Sequence, residues 1–525
     1  MKGELIFIRK SERFLVPFLI IAFLTQCTPM YMQRLNREIK TISQINELDK
    51  DTPYLKVHML DGQVYLLSKW EVNEENESIS GLGRLLDLNR NLVEAGDFSI
   101  SLQDVAIFET NTLKPSPAVS TMAVLSVLSL AVTVLCLANP KACFGSCPTF
   151  YAWNGEELTL QAEGFSSSVC PILEAEDVDA LYLTKPRSQD LKIKLTNEAL
   201  ETHVIRQANI LAVPRPENSR TFVTQNRKFY QAQSIHEPTK CNAQEGDCLA
   251  AVVSLDGKER FSFADDKNLA TRETIDMEFG PINGDKLGLI LGFRQTLLTT
   301  YLFYQGLAYM GNSAGYWFAK LQRGDENMTA YANSIADVLG GIEVFVQSEG
   351  NQWIPAGKIQ ETGPIATDTR MILMPELERT PQKIKLRMTK GLWRLDYIVL
   401  AELDEEVDPI RILPEMVFRE GKIDSEARSR LIEPDKQLVT MPGDELTLVY
   451  ELPTEYQHYE LFLESQGYYL EWMRSSWIQE ENLQKTITMF KHPEKFLRDV
   501  APEYKKIERQ MEEIFWRSKY VRKKN

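Results

Sequence analysis

The stretch CFGSCPTFYAWNGEELTLQAEGF, residues 143–165, decides how this chain is read. Phe150, Tyr151 and Trp153 favour extended backbone, and Asn154-Gly155 is the dipeptide that closes a tight hairpin. The stretch therefore reads as a β-hairpin, and "DALYLTK", "LKIKLTNEA" and "HVIRQANILAVP" continue the pattern after it. Residues 141–286 are expected to form a β-rich domain that opens with this hairpin.

Working outward, the composition is that of a globular protein. The chain has 525 residues, 43% apolar and 25% charged, which suggests three or four domains. A net charge of −15 and a pI near 5.1 argue against a nucleic-acid partner, which usually needs a basic face. The histidines (His58, His203, His236, His458 and His492) are scattered, which leaves little for histidine-based metal or acid–base chemistry.

The N-terminus carries the marks of export. Lys2, Arg9, Lys10 and Arg13 precede "FLVPFLIIAFL", residues 14–24. That run is shorter than the roughly 20 residues a membrane span needs and fits a signal peptide over 1–27. "LTQC" places Cys27 where a lipoprotein would be acylated, although Gln26 stands where a small residue is usual. A signal anchor, or cleavage elsewhere, is the alternative. A second run, 115–140, has no charge, and residues 118–138 would make a helix of about 31 Å, enough to span a bilayer. It is a transmembrane helix or a fully buried one. Lipidation at Cys27 and a spanning helix at 118–138 conflict in topology, and Lys114 and Lys141 balance across the run without deciding it.

Between these features, residues 28–114 read as a small β-rich domain. "YLKVHMLDGQVYLLSKWEV" alternates on either side of Asp61-Gly62, a hairpin signal. Residues 287–341 change character: "LGLILGF" reads as a buried strand, and the uncharged run 295–319 as a buried helix or helix pair. Together they form a buried helical insert. Residues 342–490 return to short alternating strands and turns, the pattern of an antiparallel β-sandwich. Residues 491–525 form a C-terminal helix with an apolar face of Tyr504, Ile507, Met511, Ile514 and Phe515. The fold class expected is mainly β and multidomain with minor α: a small N-terminal β domain, one transmembrane-helix candidate, an antiparallel sandwich-like body and an amphipathic C-terminal helix.

The motifs CFGSCPTFY-x-x-NG, AEGFSSS, TNEALET and ESQGYYLEWMRSSW together resemble an uncharacterised family of bacterial envelope proteins and lipoproteins. The resemblance covers most of the chain after residue 50. It implies architecture and an envelope location, and brings no activity or catalytic residue with it.

Each candidate for chemistry has a plainer reading beside it. Cys143 and Cys147 lack the second cysteine pair or histidines of a zinc site. In an oxidising compartment Cys241 and Cys248 read as one disulfide, and Cys170 with Cys147 or Cys143 as another. "GNSAG", residues 311–315, matches G-x-S-x-G around Ser313, with His458 the base it would need. That motif carries chemistry only in a strand–turn–helix setting; otherwise its glycines ease a helix break. The acidic stretches "LEAEDVDAL" and "LDEEVD" read as solvated loops. Tyr468, Tyr469, Trp472 and Trp477 form the densest aromatic group, either a binding platform for sugars or partners or one face of a helix packed as core. No catalytic, metal or cofactor residue emerges. The expected role is a structural or ligand-binding protein of the bacterial cell envelope, membrane-anchored, with the membrane and envelope proteins or glycans as partners. The alternative is a hydrolase acting on a cell-surface polymer or ester.

Overall fold

The computed structural model describes residues 33–40, 45, 48, 55–60, 63–73, 76–86, 92–115 and, with short breaks, 147–517. The expected signal peptide, Cys27, the apolar run at 118–138 and Cys143 lie outside the described residues. Among the described residues no helix is long and apolar enough to cross a membrane.

The chain divides into two compact units, 1–134 and 135–525, apart from two short segments near residues 60 and 90. The first unit carries a six-stranded antiparallel sheet. Its strands run in the order Gln33–Lys40, Val105–Pro115, Leu55–Met59, Val64–Asn73, Ser78–Leu86, Leu92–Ser101. The strands either side of Asp61-Gly62 pair as expected, His58 opposite Val64. Leu55, Val57, Leu67, Ile79 and Ile100 turn to one core, as the two-residue period of a half-buried sheet requires.

The second unit holds two β-sandwiches, one nested in the other. Thr149–Trp153 and Leu158–Glu163 form the hairpin predicted from Asn154-Gly155. Gly155 has φ +108°, and Asn154 Oδ1 accepts the N–H groups of Glu156 and Glu157 at 2.8 and 2.9 Å, which ties the loop. This hairpin joins Asp190–Thr196, which pairs with Glu445–Glu451, about 250 residues later. Likewise Glu201–Pro214 pairs with Tyr459–Glu471 along its whole length. The two sheets pack through Phe150, Ile193, Leu195, Ile210, Leu448 and Tyr450.

Between these early and late strands the chain builds the second sandwich. One sheet centres on Trp393–Val407 flanked by Leu287–Gln295 and Phe229–His236; the other runs Pro238–Ala243, Arg272–Phe279, Lys383–Thr389, Ile342–Gln347, Trp353–Ile359. All nine residues of Leu287–Gln295 are buried, since Leu289 and Leu291 enter one core and Ile290 another. The expected boundaries at 286 and 341 therefore do not separate domains. Residues 141–286 and 342–490 each contribute strands to both sandwiches, because alternation identifies strands but says nothing of distant partners.

The expected helical insert opens with that strand and continues as α1 (Leu298–Met310), α2 (Ala314–Gln322) and α3 (Glu326–Leu339). Later come α4 (Ser425–Ile432), α5 (Ser475–Gln479), α6 (Leu483–Lys491) and α7 (Pro493–Arg517). α7 matches the C-terminal helix expected over 491–525, and buries Phe496, Leu497, Tyr504 and Met511 against the second sandwich. The acidic stretch at 175–180 is a strand rather than a loop; Asp179 is buried and Asp177 pairs with Arg370 at 2.9 Å.

Candidate functional site

The ends of both sandwiches meet under α1, α2, α3 and α6 around a cavity of about 540 Å³, within the range of small-molecule sites. Its wall is mainly aliphatic and aromatic: Leu302, Phe303, Trp317, Phe318, Met489 and Phe490 among others. This explains the uncharged aromatic run 295–319. One side of α1 packs on Trp477 of α5, with Tyr304 and Trp477 ring centres 4.9 Å apart, while other side chains of α1 face the cavity.

The polar floor comes from the strand ends. Glu163 closes the strand that the Asn-Gly hairpin began, and is 4% exposed. Its Oε2 accepts the backbone N–H groups of Ile365 (2.7 Å) and Ala366 (3.3 Å). Gly363 permits this approach, because a Cβ there would lie 2.1 Å from the Glu163 carboxyl carbon. Glu163 Oε1 is fully shielded from solvent. Burial drives the carboxyl up to about 7, against the Ile365 N–H, the Cys147 thiol, the Ala366 N–H and the Arg294 guanidinium, which hold it down. Arg294 itself is held by Glu259 and by the Pro364 carbonyl at 2.7 Å.

Beside Glu163 lie Cys147 and Tyr469. Burial and the Glu163 and Glu201 charges push the Cys147 thiol far up, which disfavours the thiolate form. Tyr469 donates its hydroxyl to the Ser166 carbonyl at 3.1 Å and is likewise driven up by burial. Glu201 and Glu471 face each other across paired strands and also line the cavity. Glu201 meets the buried His203 at 3.1 Å. On the second sandwich, Gln295 and Trp393 are register partners; Trp393 is 1% exposed, and its Nε1 has no partner among the described residues.

The sites expected from sequence fare differently. The aromatic group forms no surface platform. Tyr459–Glu471 is a strand, so Tyr468 and Tyr469 point to opposite faces: Tyr468 packs with Val204 and Val439, and Tyr469 lines the cavity. Trp472 donates to Thr202 Oγ1 at 2.9 Å, and Trp477 is core. The stretch is a strand of period two as far as Glu471, and of the four aromatics only Trp477 lies on a helix.

Cys147 and Cys170 are free thiols, both buried. Cys241 and Cys248 are also unbonded, but their sulfurs stand 3.1 Å apart across the turn of a short hairpin. Ser313 sits in a one-turn break between α1 and α2, where its Oγ donates to the Met310 carbonyl at 2.6 Å. Helix precedes it where a nucleophile elbow needs a strand, and Gly311 at φ +50° makes the break. No group of three or more histidine, cysteine, aspartate or glutamate residues among those described is arranged to hold a metal ion.

Glu163, Glu201 and Glu471 fall inside the motifs AEGFSSS, TNEALET and ESQGYYLEWMRSSW, Glu471 beside the aromatic group, but none of Glu163, Glu201 and Trp393 stands out from sequence as a site residue. Nothing local distinguishes Glu163 from Glu156 or Glu157 on the same hairpin; what sets it apart is the 363–366 loop, 200 residues away.

Compared with known proteins, the sequence matches no protein-family model and no curated relative. Among solved structures it is similar to the secreted serine protease VesC from Vibrio cholerae, at 8% identity and a TM-score of 0.14, over 70% of this chain and 76% of that one. A score that low carries no argument about fold or activity.

Proposed function

We propose that this is a non-catalytic ligand-binding protein of the bacterial envelope, which holds an amphipathic small molecule in the cavity beneath α1–α3. The observation that carries the reading is the cavity itself: about 540 Å³, with a mostly apolar wall and the polar residues Glu163, Glu201, Gln295 and Glu471 among those that line it. Such a mixture of apolar wall and a few polar groups suits a ligand with an apolar body and a polar head. The envelope location rests on the basic-then-apolar N-terminus, Cys27 and the family resemblance.

The test is equilibrium binding of Nile red, a neutral apolar dye, to the full chain. Energy transfer from the cavity tryptophans Trp317 and Trp393 should saturate at one dye per chain. Unsaturable binding, or none, overturns the reading.

A second reading rests on the three glutamates. A carboxyl whose value is raised toward neutral pH, with further carboxyl groups near it, is the kind of grouping that acid–base hydrolysis of glycosides uses. The aromatic and aliphatic walls favour binding over it. Turnover of 4-nitrophenyl glycosides that disappears in Glu163→Gln would establish the hydrolase instead.

A further inference from the structure

We infer that α2 and α6, two of the helices over the cavity, form a surface that docks on an anionic lipid bilayer and takes the cavity's ligand directly from it. This rests on the binding reading above and adds the source of the ligand and its route inward.

Both helices expose apolar side chains as well as burying them. On α2 only Ala314 and Leu321 are buried. Trp317 and Phe318 line the cavity yet stay half-buried, and Tyr316 is 61% exposed. On α6, Leu483, Ile487 and Phe490 fall at i, i+4 and i+7, one stripe of the helix. Leu483 and Ile487 are exposed, and Phe490 ends the stripe against Trp317 of α2, with ring centres 5.6 Å apart. Beside α2 the turn Pro171–Leu173 adds Ile172, 52% exposed, next to Leu173 in the cavity wall. The apolar lining of the cavity is thus continuous, through Trp317 and Phe490, with apolar surface outside it. Exposed apolar surface of this kind marks an interaction site.

Charge points to the partner. The chain has a net charge of −15, yet α2 and α6 contain no aspartate or glutamate and carry Lys320, Lys485 and Lys491. Glu481, just before α6, is taken up by the backbone and side-chain N–H groups of Asn312 at 2.9 and 3.0 Å. Lys320 lies over the exposed Tyr316 ring, 4.8 Å from its centre. Aromatic rings and lysines around apolar side chains are the composition of helices that lie in a bilayer interface. Lysine there is the complement of anionic headgroups. A protein partner would explain the exposed patch but not its opening into the cavity. A bilayer explains both, because an amphipathic molecule dissolves in it and can pass to the cavity without crossing water.

The experiment follows Nile red by stopped flow as it moves to the full chain from vesicles of equal parts phosphatidylcholine and phosphatidylglycerol. Energy transfer from the cavity tryptophans is the signal. The wild-type rate should rise with vesicle concentration, as transfer by contact requires; a rate independent of it means passage through water and overturns the inference. The double variant Tyr316→Glu/Ile487→Glu changes exposed side chains that do not line the cavity. It should bind Nile red added from solution within about twofold of wild type, and take it from vesicles about tenfold more slowly or worse. Both proteins keep the same N-terminus, so anchoring there cancels in the comparison. Lys320→Gln should slow transfer from the anionic vesicles about fivefold, the worth of one cation at such a surface, and leave transfer from pure phosphatidylcholine unchanged. If the double variant takes dye from vesicles as fast as wild type, the docking surface fails while the binding reading stands. A Lys320→Gln effect of equal size on both lipids overturns the anionic assignment. If the dye does not bind even from solution, the binding reading fails and this inference with it.

Discussion

Glu163 should make the second unit less stable as pH rises, and Glu163→Gln should abolish that share of the loss. The carboxyl has an ordinary value of 4.5 and is raised to about 7 by burial. Below about pH 4.5 it is protonated in the folded and unfolded chains alike, and costs nothing. Between 4.5 and 7 the unfolded chain gives up the proton while the folded chain keeps it. The folded state then binds more protons, so stability falls as pH rises through this window, and the loss is complete above about 7. At 1.36 kcal/mol per pH unit the gap is worth about 3 kcal/mol, and at 4% exposure solvent does little to reduce it. Glutamine keeps the shape and an oxygen for the Ile365 N–H but cannot ionise. The assay is urea unfolding followed by tryptophan fluorescence, wild type against Glu163→Gln, at pH 5 and pH 8. Glu480 is also raised to about 7, and Asp368 and Asp396 to about 6, with the same sign. The wild-type slope therefore has several sources, and only the difference between the two proteins isolates Glu163. The variant should gain about 2–3 kcal/mol on wild type between pH 5 and pH 8. A difference that is flat with pH, or that moves the other way, refutes the claim that burial raises the Glu163 carboxyl.

Three further outcomes are expected. Oxidised glutathione should join Cys241 to Cys248, whose sulfurs are 3.1 Å apart, with a mass loss of two hydrogens and a gain of about 2–3 kcal/mol for closing so short a loop; Cys248→Ser should show neither. Ser313→Ala removes one hydrogen bond to the Met310 carbonyl in a helix break; thermal melting should register under about 1 kcal/mol, and ligand binding should not change. Asn197→Ala should cost about 2–4 kcal/mol in urea unfolding, because Asn197 Nδ2 donates to the Glu201 and Thr440 carbonyls at 3.0 and 3.1 Å, both buried, and so ties strands about 240 residues apart.

What could be read from the sequence divides along the range of the forces involved. The hairpin at 149–163 was legible because its cause is local: Asn154 and Gly155 hold the turn within four residues, and the alternating arms need only each other. The same holds for α7, whose apolar face repeats within one helix. Nesting of the sandwiches was not legible. Asp190–Thr196 alternates in the same way whether its partner is Leu158–Glu163 or Glu445–Glu451, and nothing in its seven residues points to the latter. An error of this kind passes directly to the site. Glu163 looks like a hairpin glutamate facing water until the inserted sandwich brings Ile365, Ala366 and Gly363 against it, and only then does burial raise its carboxyl. Trp393 follows the same course: it becomes a cavity residue through its pairing with Gln295, about 100 positions earlier. The binding chemistry proposed for this chain is thus a property of the nesting, since the strand ends of one sandwich supply the carboxylates and the other sandwich with its helices supplies the cover. A change that loosened the 363–366 loop, far from the hairpin in sequence, should therefore return Glu163 toward an ordinary carboxylate before it unfolds either sandwich.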